Sequence, residues 1–89
     1  MSIRHIYTSP KFERLYRKLP LAIKEIAKEK EVVFRRDPFA PQFETHKLHG
    51  KERNIWAFSV TRAYRIKFVF LDGGGILFLG IGTHDIYRP

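Results

Sequence analysis

Near the carboxyl end, "GTHDIY" sets His84 beside Asp85 and three residues before Tyr87. Arg65 and Lys67 stand two apart in "YRIKFVF", and Lys47, Lys51 and Arg53 crowd the "HKLHGKER" stretch. A phosphodiester can be cleaved without metal when one group takes the 2′-hydroxyl proton and another protonates the departing 5′-oxygen. Cations must also balance the charge gathered on phosphorus. His84 has the side chain whose proton exchanges near neutral pH. The guanidinium of Arg65 can grip phosphate oxygens with its fork of donors. Lys67, Lys47, Lys51 and Arg53 are auxiliary cations, and Tyr87 can stack on a base or donate a hydrogen bond. Each has a plainer alternative: a polar strand end for His84, an ion pair with a glutamate for Arg65, solvation for the lysines.

These groups need a scaffold, and the charge says what it faces. Among 89 residues, 17 Lys and Arg oppose 9 Asp and Glu, a formal net charge of +8. Such an excess favours nucleic acid, an anionic membrane or an acidic protein as partner. The length allows one domain, residues 1–89. With no cysteine there is neither disulfide nor thiolate chemistry, which fits a reducing, cytoplasmic setting. The amino terminus lacks the apolar core of a signal peptide, and no run reaches the roughly 18 apolar residues of a membrane span.

Periodicity gives the elements. "SIRHIYTS" alternates as a first strand, with Ile3, His5 and Tyr7 on one parity. Ser9 and Pro10 form an N-cap and first helical position. Phe12, Leu15, Tyr16 and Leu19 then recur at helical spacing. Pro20 separates this helix from a second over "LAIKEIAKEKEVVF", whose stripe is Ile23, Ile26, Ala27 and either Val33 or Phe34. "RRDPFAPQFE" reads as a loop, because two prolines disfavour helix at the residues before them. "THKLHG", "NIWAFSVT" and "YRIKFVFL" follow as strands. "DGGG" at 72–75 marks a hairpin, and "ILFLGIGTH" is apolar on both parities, as in a central strand. The expected class is α+β, in the order β-α-α-β-β-β-β, an antiparallel sheet with a helical hairpin on one face.

Gly80, Gly82 and His84 share one parity of the last strand. If that parity meets Arg65 and Lys67, the result is a shallow trough with a cationic wall. Ile76 and Phe78 share the same parity, however, and must be covered somewhere. His46 and His49 point to opposite faces of an extended strand and have no completing ligand set, so no metal site is expected. No glycine motif stands in the strand-turn-helix setting that cradles phosphate. Trp56, alternating with Phe58 and Val60, reads as core before it reads as a base platform.

In this order "DPF", "HKLHG", "WAFSVTRAYRIKFVF" and "ILFLGIGTHDIY" resemble the RelE/ParE superfamily of bacterial type II toxin-antitoxin toxins, in its RelE/StbE-like and YoeB-like branches. The resemblance spans almost the whole chain. It implies a microbial-RNase-like fold and a metal-independent, ribosome-dependent endoribonuclease, an mRNA interferase that inhibits translation, with no cofactor. By the same resemblance, Arg65 corresponds to the phosphate contact, His84 to the last-strand histidine and Tyr87 to the carboxyl-terminal aromatic. Lys47 and Lys51 match the basic segment used for RNA or catalysis. YoeB-like enzymes place a glutamate base before the K-L-x-G segment. Glu44 stands two positions nearer the glycine, and Asp85 could orient His84, so the base is left open between them. The implied partners are a cognate antitoxin with an acidic, amphipathic segment, the ribosome and mRNA. DNA is contacted only through the antitoxin, and no membrane is involved. Two alternatives share the fold: a ParE-like gyrase inhibitor without nuclease chemistry, and an inactive binding module.

Overall fold

A computed structural model describes residues 2–50 and 54–83. The elements run β1 (His5–Thr8), α1 (Pro10–Arg17), α2 (Leu21–Arg36), a 3-10 turn (Pro41–Phe43), β2 (His46–Lys47), β3 (Trp56–Ser59), β4 (Arg65–Phe70) and β5 (Gly75–Gly82). The five strands form one sheet in the order β1-β5-β4-β3-β2. β2 to β5 are antiparallel neighbours, while β1 joins β5 in parallel. A parallel pairing needs a crossover between its strands, and here everything from α1 to β4 lies between β1 and β5 in the chain.

Local chemistry sets the helix ends. The Ser9 hydroxyl accepts from the Phe12 amide at 3.0 Å, and Pro10 occupies the first helical position. The Tyr16 hydroxyl donates to the Lys24 carbonyl at 3.2 Å, tying α1 to the first turn of α2. Of the two candidates closing the α2 stripe, Phe34 is fully buried and Val33 is exposed.

The core lies between the helices and one face of the sheet. Phe34 stacks on Phe58 with ring centroids 3.8 Å apart, and Phe43 and Phe68 meet it edge-on. Phe12 reaches Phe78 at 5.3 Å. Phe43 is fully buried although it lies in the segment read as a loop: the 3-10 turn delivers it inward. Trp56 is half-buried at the rim, edge-on to Phe39 and Phe70. Among the described residues no helix is long and apolar enough to cross a membrane.

Candidate nucleic-acid interface

The ladder between β4 and β5 resolves the conflict of parities on the last strand. Arg65 faces Gly82, Ile66 faces Ile81 and Lys67 faces Gly80; then the register slips, and Phe68 faces Phe78. Leu79 is left without a partner across the ladder, a β-bulge on β5. One extra residue inverts the alternation. Below the bulge Ile76 and Phe78 turn toward the helices; above it Ile81 does, while Gly80 and Gly82 turn away.

The face opposite the helices therefore carries Arg65, Lys67, Gly80 and Gly82 together, as the trough reading expected. Cross-strand partners extend it: Ser59 faces Arg65, Ala57 faces Lys67 and His46 faces Ala57. His46, Ala57, Lys67 and Gly80 form one row across four strands. A cavity of about 670 Å³ opens above the glycines, bordered by Lys11, Leu15, Ile55, Lys67 and Thr83. Leu15 of α1 reaches over the sheet margin, 3.6 Å from where a Cβ on Gly80 would lie.

Arg65 is held by the turn before its own strand. Its Nη1 donates to the carbonyl oxygens of Thr61 at 2.8 Å and Arg62 at 2.9 Å, with Tyr64 at 3.2 Å. The turn itself is built by Thr61, whose hydroxyl accepts from the Ala63 and Tyr64 amides. Among the described residues Arg65 thus pairs with carbonyls and not with a glutamate, the sequence alternative. The arrangement fixes the guanidinium plane, and all of these bonds are made by one of its three nitrogens. Beside it, Ser59 is buried and its hydroxyl has no hydrogen-bond partner among the described residues.

The other sequence candidates divide. Lys47 is exposed and faces Trp56, one residue out of phase with the Lys67 row and on the other side of the sheet. Glu44 is exposed and ends the 3-10 turn in the left-handed region at φ 47°, its carbonyl 2.9 Å from His46 Nδ1. His84, Asp85, Tyr87, Lys51 and Arg53 lie outside the described residues. Among those described, no three His, Cys, Asp or Glu side chains are grouped to hold a metal ion. Sequence reading missed Ser59 and Lys11 as neighbours of the trough. Ser59 had a signal, since it shares the Ala57 parity; Lys11 had none, because α1 reaches the cavity only through the tertiary fold.

Neither a protein-family model nor a curated protein matches the sequence. Solved structures do match in shape. A YoeB/ParE toxin from Agrobacterium tumefaciens is 15% identical, covers 91% of this chain and 99% of its own, and superposes with a TM-score of 0.75. The RelBE2 toxin-antitoxin complex from Mycobacterium tuberculosis (16% identity, 90% and 96% covered) gives 0.76. The archaeal RelE-RelB complex from Pyrococcus horikoshii (17% identity, 93% and 96% covered) gives 0.72. Two helices packed on a five-stranded sheet, in this connectivity, are the fold of the RelE- and YoeB-type toxins.

Proposed function

We propose that this chain is the toxin of a type II toxin-antitoxin pair and cleaves mRNA on the ribosome without a metal ion. The observation that carries the reading is the pairing of Arg65 with Gly82 and of Lys67 with Gly80 on the side away from the helices. Two cations flank the glycines, and at Gly82, which lacks a side chain and is only half-buried, a phosphate can approach the sheet, while Leu15 covers Gly80. A net charge of +8 draws the polyanion in.

In this reading Arg65 and Lys67 hold the scissile phosphate and stabilise its developing charge. His84 follows directly in the chain after Thr83, a residue bordering the cavity, and transfers the proton. Tyr87 stacks on a base or donates to the phosphate. Glu44 or Asp85 serves as base or orients His84. Lys47, Lys51 and Arg53 contact RNA beyond the scissile phosphate. A cytoplasmic antitoxin silences the toxin by laying an acidic segment over the same cations.

The test is induced expression with primer extension on translated mRNA. Growth arrest should coincide with new 5′ ends, and both should disappear with Arg65→Ala or His84→Ala. Co-expression of the neighbouring gene's product should restore growth. Undiminished cleavage by both variants excludes this site. Arrest without cleavage, accompanied by inhibition of gyrase supercoiling, transfers the chain to the ParE-like reading.

A further inference from the structure

The sheet face that carries Lys67 continues below the bulge in a different chemistry. Alternation along β4 is unbroken, so Val69 shares the side of Lys67; Val69 faces Leu77, and Leu77 faces Tyr7 of β1. His5, two residues earlier, faces Gly75 on the same side. Tyr7 is 53% exposed and His5 is exposed, their ring centroids 6.0 Å apart and tilted by 44°. A Cβ on Gly75 would stand 3.4 Å from Tyr7 Cε2 and 3.5 Å from the His5 carbonyl oxygen. The tyrosine ring thus lies within van der Waals reach of the Gly75 backbone. Leu71, 38% exposed, and Leu77 flank the ring, and Asp72 stands at the end of the hollow, about 420 Å³ in volume.

A tyrosine this exposed gains little from the core, and it sits on the outermost strand of the sheet. We propose that His5 and Tyr7 form a stacking shelf for an unpaired nucleobase of the RNA whose phosphate lies at Lys67 and Arg65. An apolar flank with an exposed ring face suits a base, since every base presents a π-face. The Asp72 carboxylate accepts from an exocyclic amine, as on cytosine. Three residues along β5 and two strand spacings across separate the shelf from Lys67, roughly 14 Å by strand geometry. A neighbouring nucleotide, not the one being cut, therefore occupies it. The shelf rests on the RNA-cleaving reading proposed above and adds a base contact to it.

The test is fluorescence anisotropy with a labelled single-stranded RNA carrying 2′-O-methyl sugars, which the enzyme cannot cut. Tyr7→Ala should weaken binding about 5- to 150-fold, the loss of one stacked base. Tyr7→Phe should bind as the parent does, and His5→Ala should show a smaller loss. The salt dependence should stay unchanged in Tyr7→Ala and become shallower in Lys67→Ala. Blunt duplex RNA should not distinguish Tyr7→Ala from the parent. If Tyr7→Ala binds single strands as well as the parent while Lys67→Ala is weakened, the shelf is refuted and the phosphate site stands. If Tyr7→Ala instead loses only its hold on the antitoxin, the surface is a protein-docking site and the shelf is likewise refuted. If the parent protein binds no single-stranded RNA, the shelf is refuted, while the cleavage reading stands or falls by the primer extension on translated mRNA.

Discussion

The Ser9 hydroxyl donates to the carbonyl oxygen of Leu79 at 3.2 Å, while the Ser9 amide donates to Phe78 at 3.0 Å. Leu79 is the residue that the bulge leaves without a cross-strand partner. One side chain therefore caps α1 and satisfies the irregularity that turns Gly80 and Gly82 outward. The helix start and the trough floor are coupled through it. Ser9→Ala should cost more than an ordinary cap, about 2 kcal/mol. Denaturant unfolding measures this, and a loss below about 0.5 kcal/mol would show that the two roles are not coupled.

Arg65 and Lys67 should separate activity from stability. Arg65→Ala removes the donors to Thr61 and Arg62 and should lower both stability, by about 1 kcal/mol, and cleavage, by roughly 100-fold or more. Lys67→Ala should reduce cleavage to a similar degree. Paired melting curves and cleavage rates check both, and an Arg65→Ala protein that melts like the parent would contradict the role of the turn carbonyls.

Ser59 points the opposite way. Its buried hydroxyl lacks a partner among the described residues, so Ser59→Ala removes a desolvated group without breaking a bond to any of them. Stability should rise by about 1 kcal/mol. A loss on substitution would reveal a hydrogen bond that this hydroxyl makes in solution.

The glycines of β5 and its hairpin should differ by kind. Gly74 has φ 89°, and a Cβ there would meet Arg4 side-chain carbons at 3.2 Å. Gly74→Ala should destabilise by about 1–2 kcal/mol. At Gly80 a methyl makes only an ordinary contact with Leu15, so Gly80→Ala should stay within about 0.5 kcal/mol of the parent. Thermal unfolding of the pair reads the contrast directly.

Tyr16 gives a pH signature. Burial, then the carboxylates of Glu31 and Glu13, push its phenol above the ordinary value near 10. The fold favours the protonated ring, so this contribution is complete below the unfolded value and is lost as pH rises through the higher folded one. Tyr16→Phe should be slightly less stable at neutral pH, lacking the bond to Lys24, yet lose less stability above pH 10. Parallel slopes for the two proteins at alkaline pH would remove the assignment.

Sequence alone determined much of this molecule, because local rules are short-ranged. Ser9 and Pro10 mark a helix start whatever surrounds them, the glycines at 73 and 74 supply the positive φ of the hairpin, and alternation in "YRIKFVF" puts Arg65 and Lys67 on one side. Tertiary structure decided what alternation cannot carry across an irregularity. Ile76, Phe78, Gly80 and Gly82 share a parity, and only the extra residue at Leu79, held by Ser9 seventy positions earlier, sends the first two to the core and the last two to the open face. It likewise decided that β1 lies parallel to β5, which sets Tyr7 on the side of Lys67, and that Lys47 and Lys67, both cations on strands, lie on opposite sides of the sheet. A pattern of period two fixes which neighbours agree within a strand. Which strand lies beside it, and in what register, depends on contacts between residues far apart in the chain.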